Sequence, residues 1–322
     1  MKTNIIITSA GQRVSLVKAF QKELQKKYPH SKVIALDRCP ELSAACQVAD
    51  GFYKICSVTD DHYVSELLQI CKKENVGMII PTIDTELRIL SESKPIFQAE
   101  KIHLIISDEK FIKQCRDKRE LNHFFSEYNI RFPRPVDKHQ PSFPLFIKPF
   151  DGSLSKDIFI IREASELTDF HIGQPKFMFM EYIDPDHYKE YTVDCYYNRK
   201  NQLSCAVPRQ RIAVRSGEIH KGVTDKNSIM DYLKTKISTI PGAIGCITFQ
   251  LFYNKDNQDI IAIEINPRFG GGYPLSYEAG ANYPKMLIEE YFEDKAIHYT
   301  DDWEDRLLML RYDAEVLVRN YE

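Results

Sequence analysis

Three polar side chains of different chemistry occupy alternate positions near the end of an apolar run. They are Glu264, Asn266 and Arg268, and three consecutive glycines follow them. Alternate residues of an extended strand share a face, so these side chains should point one way, with Ile263 and Ile265 behind them. Carboxylate and amide oxygens suit Mg²⁺, and an arginine fork suits phosphate oxygens. The pattern predicts a metal- and phosphate-binding strand; the alternative is a strand that simply runs into a glycine turn.

Other predicted elements carry further groups suited to phosphoryl chemistry. Lys118 and Lys148 are point charges for phosphates, Glu190 can accept hydrogen bonds from ribose hydroxyls, and Gln250 could converge with Glu264 on a metal ion. No Gly-Lys-Ser or Gly-Lys-Thr sequence occurs, which excludes a Walker-type site. Taken alone, Lys118 and Glu190 are more typical of solvated surface residues. Lys148 lies in an apolar strand, where a lysine needs a partner.

Two further segments offer groups for binding anions. The loop of residues 151–157 contains a glycine and two serines, whose amides and hydroxyls can donate to phosphates. A basic segment runs from Arg209 through Arg211 and Arg215 to Lys221. Such a segment is either a solvated face or an anion-binding wall. Beside a metal strand we favour a wall that receives an acceptor carboxylate and the transferred phosphate.

Apolar patterns in the second half predict the elements that carry these groups. Strands are expected over residues 143–149, 158–161, 177–181, 190–197, 203–207, 245–253 and 260–265. Helices are expected over residues 107–127, 164–171, 228–238, 275–281 and 284–293. Short polar turns join the fourth strand to the fifth and the sixth to the seventh. The expected body is therefore an α+β unit of antiparallel strands, with the two metal-ligand segments on neighbouring strands.

The first third of the chain has a different pattern. Buried strands over residues 4–8, 31–37, 76–81 and 102–106 alternate with helices, which predicts a doubly wound parallel sheet. The first turn holds one glycine, Gly11, where a dinucleotide fingerprint needs three, so Asp37 alone gives little support for NAD binding. Asp37, Thr82, Asp84 and Glu86 lie at strand ends. They either face a small substrate or serve as caps and turn residues.

Composition restricts the classes of function. The chain of 322 residues is 43% hydrophobic and can build a large core. A net charge of -3 argues against a dominant nucleic-acid-binding surface. No run approaches the ~18 apolar residues of a membrane span, and the first residues lack the pattern of a secretory signal. The eight cysteines form no Cys-x-x-Cys pair. We therefore expect reduced thiols in a cytoplasmic protein without nucleic-acid or membrane partners.

The ordered set of motifs resembles the ATP-grasp superfamily. The matching segments are Lys118, Ile147-Lys148-Pro149, Asp151-Gly152-Ser153-Leu154-Ser155, Phe179-Met180-Glu181-Tyr182-Ile183, Glu190-Tyr191-Thr192-Val193-Asp194, Gln250 and Glu264-Ile265-Asn266-Pro267-Arg268. The chain is similar to one module of the carbamoyl-phosphate synthase large subunit and to stand-alone amino-acid ligases. The resemblance implies an α/β fold, with a pre-ATP-grasp domain followed by a two-lobed ATP-grasp fold.

The resemblance also implies a role for each matched residue. The residues that would bind ATP are Lys118, Lys148, Ser153, Ser155, Lys156, Glu181, Tyr182, Ile183 and Glu190. The ligands of two Mg²⁺ ions, for which Mn²⁺ can substitute, would be Gln250, Glu264 and Asn266. Arg268 and Arg211 would be catalytic, with Arg268 steadying the γ-phosphate and the acyl-phosphate. The acceptor substrate would meet Arg209, Arg215, Gly271 and Gly272.

The same resemblance predicts that the chain is divided into four parts. They are a pre-ATP-grasp domain at 1–107, a lid-side lobe at 108–189, a metal and catalytic lobe at 190–300, and a C-terminal extension at 301–322. A homodimer is compatible with the family, although no residue pattern here establishes one.

The implied activity is that of a Mg-ATP-dependent carboxylate–amine ligase. It would form an amide through an acyl-phosphate, release ADP and phosphate, and use a small-molecule carboxylate and amine. Two alternatives remain. One is phosphorylation of bicarbonate or carbamate, as in carbamoyl-phosphate synthase. The other is a nucleotide-binding regulatory protein without turnover.

Overall fold

The structure is a computed structural model that describes residues 2–151, 157–215, 217–319 and 321. Its strands form a parallel sheet of five strands, an antiparallel sheet of three and an antiparallel sheet of six. Among the helices of the described residues, none combines the length and apolar character that crossing a membrane requires.

The parallel sheet occupies the first third of the chain. Its strands are β1 (Asn4–Ile7), β2 (Val33–Asp37), β3 (Gly51–Lys54), β4 (Val76–Ile80) and β5 (His103–Leu104). Their order in space is β3-β2-β1-β4-β5, and every neighbouring pair is parallel. The helices around it are α1 (Val14–Lys27), α2 (Ala44–Val48), α3 (Tyr63–Lys73), α4 (Asp84–Glu92) and α5 (Lys94–Ala99). The predicted doubly wound sheet is confirmed, although the edge strand β3 was not predicted.

Alternation along β1 explains why both faces of this sheet are covered. Ile5 and Ile7 pack with Phe20 of α1, whereas Ile6 packs on the opposite side with Leu67 of α3. The three isoleucines are fully buried. At about 1.5–3 kcal/mol for each fully buried side chain, they supply a large part of the local stability.

Most of the polar residues at the strand ends hold turns. The Asp37 carboxylate accepts a hydrogen bond from the Gly11 amide at 2.9 Å. Glu86 is fully buried and accepts hydrogen bonds from the Thr82 amide at 2.7 Å and the Ser9 hydroxyl at 2.8 Å. The interpretation as cap and turn residues is therefore correct for Asp37 and Glu86.

Residues 107–127 form two helices, which corrects the prediction of one. They are α6 (Glu109–Arg116) and α7 (Lys118–Glu127), and Asp117 ends the first and caps the second. The Asp117 side chain accepts a hydrogen bond from the Arg119 amide at 2.9 Å. A short acidic side chain between two basic residues can satisfy the free amides of a new helix, so the chain turns here.

The three-stranded sheet follows the helix pair. Its strands are β6 (Leu145–Pro149), β7 (Phe159–Ile161) and β8 (Phe177–Glu181), in the order β7-β6-β8. The helix predicted over 164–171 is a 3₁₀ turn (Ala164–Glu166) followed by α8 (Asp169–Gly173). The predicted ATP-binding residues Ser153, Ser155 and Lys156 lie outside the described residues.

The six-stranded sheet forms the rest of the body. Its strands are β9 (Lys189–Tyr197), β10 (Leu203–Arg215), β11 (Glu218–Thr224), β12 (Gly245–Tyr253), β13 (Ile260–Asn266) and β14 (Leu308–Leu310). Their order is β13-β12-β9-β10-β11-β14, and neighbours are antiparallel. Its helices are α9 (Ile229–Ile237), α10 (Tyr273–Glu278) and α11 (Tyr283–Phe292). The basic segment is thus the far half of β10 and its return strand β11.

The parallel and six-stranded sheets share one core, which fixes the position of the N-terminal domain. Ile7 of β1 and Tyr196 of β9 belong to the same buried cluster. The rings of Phe20 and Phe269 meet edge to face, with 5.8 Å between their centroids. The carboxyl edge of the parallel sheet is therefore held against the segment that follows β13.

Candidate active site

A cleft of about 600 Å³ opens where the three sheets meet. The strands β6 and β8 lie on one side of it, the strands β9 to β13 lie on the other, and the turns after β1 and β4 reach its inner end. The predicted site residues that line it are Lys118, Lys148, Glu181, Tyr182, Ile183, Glu190, Arg209, Arg211, Gln250, Glu264, Asn266, Arg268, Gly271 and Gly272. Among the predicted site residues that the structure describes, Arg215 is the only one that does not line the cleft.

The proposed metal ligands lie on adjacent strands at the floor of the cleft. Gln250 of β12 pairs in register with Glu264 of β13. Asn266 lines the same cleft two residues further on. A register shift follows Gln250, and Ile263 also lines the cleft instead of lying behind the sheet. The expected burial of Ile263 was therefore wrong, because a β-bulge adds a residue to one strand and breaks the simple alternation.

Glu190 connects the floor to the basic hairpin. Its carboxylate accepts a hydrogen bond from the Gln250 side-chain nitrogen. It also lies 3.3 Å from the Arg211 Nε in an ion pair. With its amide nitrogen engaged, Gln250 has its carbonyl oxygen left for another contact. Neither Glu190 nor Arg211 is a solvated surface side chain.

Two buried lysines face this floor from the lid side. Lys118 begins α7 and Lys148 lies in β6, and both side chains are about nine-tenths buried. Burial, together with the charge of Lys118, lowers the pKa of Lys148 to about 8, and the charge of Glu264 partly opposes both. Two buried ammonium groups that repel one another form a place where a polyanion is stabilised.

The outer part of the cleft is apolar. Phe146, Ile160 and Met180 line it from the three-stranded sheet, and Phe252 lines it from β12. Residues 181–183 leave β8 at its rim. A flat heterocycle fits such a wall, and main-chain groups at the edge of the wall can form hydrogen bonds with it.

The carboxylate of Glu181 has a structural role. It forms ion pairs with Arg134 Nε at 3.1 Å and Arg131 Nη2 at 3.4 Å. This engagement is compatible with a contribution to base binding through the main chain, as the resemblance implies.

Arg268 bridges the metal strand and the N-terminal domain. Its Nε and Nη2 lie 3.0 Å and 2.7 Å from the two carboxylate oxygens of Asp84, and its Nη2 lies 3.3 Å from the Asn266 oxygen. Burial alone would lower the pKa of Arg268, but the charge and hydrogen bonds of Asp84 outweigh it and raise the pKa. Asp84, the first residue of α4, thus fixes the orientation of the guanidinium beside the metal ligands.

Arg209 lies beneath the glycine segment. It is fully buried, as is Asp194, whose Oδ2 lies 2.9 Å from the Arg209 Nη2. Asp194 also accepts a hydrogen bond from the Ser276 hydroxyl at 2.7 Å. A Cβ on Gly272 would come within 2.1 Å of the Arg209 Nη1, so this glycine makes room for the guanidinium. The expected contact between Arg209 and an acceptor stays a prediction.

Arg215 lies apart from the cleft. Its side chain is 59% exposed and pairs with Asp313 of the C-terminal segment. Strand β10 carries Arg209 and Arg211 inward but reaches solvent at its end, so the basic run divides between a buried wall and an exposed tip. The structure does not support the expected acceptor role of Arg215.

Several residues of the inner cleft were not predicted. Arg13, Glu218, Thr192 and Thr248 line it, and Arg13 comes from the turn after β1. The carboxyl edge of a parallel sheet is where open α/β sheets bind ligands, and that rule could have identified Arg13. Glu218 had no such signal, because its position depends on the return of β11.

Two family models match the sequence. One describes the N-terminal domain of PylC-like proteins and matches residues 5–105. The other describes an ATP-grasp of the biosynthetic pathway with the Ter operon and matches residues 173–309. No curated protein sequence matches the chain.

Solved structures share the fold at low sequence identity. Biotin carboxylase from Campylobacter jejuni, in complex with β-γ-ATP, is 13% identical with a TM-score of 0.71, over 95% of this chain and 74% of that one. N5-carboxyaminoimidazole synthetase from Staphylococcus aureus, in complex with ADP, is 18% identical with a TM-score of 0.66, over 88% and 76%. An L-amino acid ligase from Bacillus licheniformis is 14% identical with a TM-score of 0.65, over 90% and 74%.

The two family models match opposite ends of the chain, and the structure joins them through a cleft whose lining carries the expected motifs. The chain belongs to the ATP-grasp superfamily of ligases.

Proposed function

We propose that the protein is a Mg-ATP-dependent carboxylate–amine ligase that forms an amide through an acyl-phosphate and releases ADP and phosphate. One observation carries the proposal. The oxygen-bearing side chains of Gln250, Glu264 and Asn266 line the same cleft as the buried lysines Lys118 and Lys148. A triphosphate that brings metal ions is complementary to both sets of groups at once.

The donor set suits Mg²⁺ shared with a nucleotide. It provides one carboxylate and two amides, and the described residues hold no cluster of three or more His, Cys, Asp or Glu side chains. Mg²⁺ is commonly bound through one or two carboxylates together with substrate phosphates, and it retains several waters. We expect two ions, with Mn²⁺ as a substitute. Bound there, they would neutralise phosphate charge as it shifts during transfer.

The residues of the chain would position the nucleotide. Lys118 and Lys148 would hold its phosphates, the wall of Phe146 and Met180 would hold its base, and Glu190 would take the ribose. The relatives solved with β-γ-ATP and with ADP support a nucleotide in this cleft.

Transfer then requires two displacements. A carboxylate oxygen attacks the γ-phosphorus and ADP leaves; an amine next attacks the acyl carbon and phosphate leaves. Arg268, held by Asp84, would stabilise the charge of the transferred group, and Arg211 would approach it from the basic hairpin. The chain supplies position and charge without a protein nucleophile.

The test is ADP release in a coupled assay with Mg-ATP and a panel of carboxylic acids, using hydroxylamine as the trapping amine. We expect release that depends on one class of acid and yields a hydroxamate. Release with bicarbonate alone would favour the carbamoyl-phosphate-synthase-like alternative. Nucleotide binding without release under any mixture would favour the regulatory alternative.

A further inference from the structure

The inner end of the cleft coincides with the switch point of the parallel sheet. Strands β1 and β4 are neighbours, while β2 and β5 lie on opposite sides of them. The connections after β1 and β4 therefore leave in opposite directions and open a crevice at the carboxyl ends, where sheets of this kind bind ligands. Arg13 follows β1, Asp84 follows β4, and both line the cleft.

Arg13 is a partly buried cation whose charge the chain balances incompletely. Its Nη2 donates to the Thr82 carbonyl at 3.1 Å. Both oxygens of the nearby Asp84 are taken by Arg268. In the described part of the chain, no carboxylate forms an ion pair with Arg13. Burial lowers its pKa, the charge of Arg268 lowers it further, and the charges of Glu218, Asp84 and Glu86 offset this only in part. A partly buried guanidinium in this position is stabilised by an anion that enters from the cleft.

A carboxylate stands on the opposite wall. Glu218 begins β11 and lines the cleft, and its charge acts on Arg13. Gly271 lets it approach, since a Cβ there would lie 2.2 Å from the Glu218 Oε1. Arg311 occupies the other oxygen, with 3.0 Å between Arg311 Nη1 and Glu218 Oε2. The inner cleft therefore presents a guanidinium and a carboxylate to the same space, beside the proposed site of phosphoryl transfer.

We propose that this space is an amino-acid subsite, in which Arg13 binds the α-carboxylate that is activated and Glu218 binds the α-ammonium group. The inference rests on the proposed ligase function. One carboxylate oxygen would pair with Arg13 while the other attacks the γ-phosphorus. The ammonium group, paired with Glu218, stays protonated and does not act as the nucleophile. The amino acid is thus the carboxylate-donating substrate, and the amine comes from a second molecule.

Steady-state kinetics tests the two contacts separately. The twenty standard amino acids are assayed individually with Mg-ATP and hydroxylamine, using wild type, Arg13→Met and Glu218→Gln. We expect Arg13→Met to raise KM for the amino acid about 10–100-fold, as for loss of a charge-assisted contact, with KM for Mg-ATP nearly unchanged. Glu218→Gln should raise KM for the amino acid but not for the matching 2-hydroxy acid, which has no ammonium group.

The control variant is Arg88→Met, which removes an exposed arginine outside the cleft and should leave every constant unchanged. An unaltered KM in Arg13→Met, or equal effects of Glu218→Gln on amino and hydroxy acids, would overturn the subsite while the ligase proposal stands.

A binding experiment distinguishes failure of the subsite from failure of the ligase proposal. Each L-amino acid is titrated calorimetrically into wild type and the two variants in the presence of Mg-ADP. If no acid elicits ADP release, the ligase proposal fails, and this titration still decides the subsite. Binding to wild type that is lost in both variants supports the subsite. No binding, or equal binding to all three proteins, rejects it.

Discussion

Replacing Lys148 by methionine should stabilise the free protein and abolish nucleotide binding. The lysine is buried beside Lys118, and its pKa is lowered to about 8. Holding its charge in the nucleotide-free cleft therefore costs folding free energy. Methionine has a similar length and no charge, so the cost disappears together with the phosphate contact.

The pKa shift of Lys148 sets the size of the expected change in the free energy of unfolding. A fall from 10.5 to about 8 is about 2.5 pH units, and at 1.36 kcal/mol per unit it corresponds to up to about 3 kcal/mol. Because the folded pKa lies below the unfolded one, the native state holds fewer protons between pH 8 and 10.5. The wild type should therefore gain stability as pH rises through this window, and the full cost is present below pH 8.

Urea unfolding of the free protein measures the effect. At pH 7 we expect the free energy of unfolding of Lys148→Met to exceed that of wild type by up to about 3 kcal/mol, and the gap should close by about pH 10.5. Mg-ATP should restore the lysine charge, so binding at pH 8 should take up about half a proton, measured by calorimetry in buffers of different ionisation enthalpy. Lys200→Met, which changes an exposed lysine, is the control.

Two results would refute this reasoning. One is a free energy of unfolding of the wild type that changes between pH 8 and pH 10.5 by no more than that of Lys148→Met. The other is an ATP affinity of Lys148→Met within about twofold of wild type, which is less than one charge-assisted contact should cost.

Three further changes probe the floor, the buried pair and the glycine segment. Glu264→Ala should lower ADP formation at least about 1000-fold with the fold intact, since the carboxylate is expected to hold metal; an active variant in the coupled assay would contradict that role. Asp194→Asn leaves the fully buried Arg209 charge uncompensated and should cost about 3–5 kcal/mol in urea unfolding, so a loss below about 1 kcal/mol would show that the pair contributes little. Gly271→Ala should displace Glu218 and raise KM for the amino acid about fivefold without altering thermal stability, and an unchanged KM would contradict the assigned position of the carboxylate.

Local sequence patterns predicted most of the strands and helices because apolar residues recur along the chain wherever one face of an element is buried. The run before Glu264 predicted β13, and the apolar pattern over residues 228–238 predicted α9 to within one residue at each end. Patterns failed where one polar residue redirects the chain. Asp117 ends α6 and starts α7, and no change of apolar period marks that point.

The site was predicted in part. Glu264, Asn266 and Gln250 line one cleft as expected, because strand alternation and hairpin pairing carry directly into three dimensions, and their role as metal ligands stays a prediction. Arg215 lies outside the cleft, which the sequence did not indicate, since a basic run on a long strand does not show where the strand leaves the cleft. The pairing of Arg268 with Asp84 joins residues 184 positions apart, and no local pattern encodes such a contact.

The sequence by itself determined the types of group available and their order along the chain: oxygen ligands on one strand, a lysine in an apolar strand, and a parallel sheet before them. The tertiary structure decided which groups are charged, buried or free to meet a ligand. Lys148 acquires its lowered pKa only from burial beside Lys118, and Arg13 faces the cleft only because the two larger sheets share a core. Burial and electrostatic interaction depend on distances through space, and the folded chain alone sets those distances.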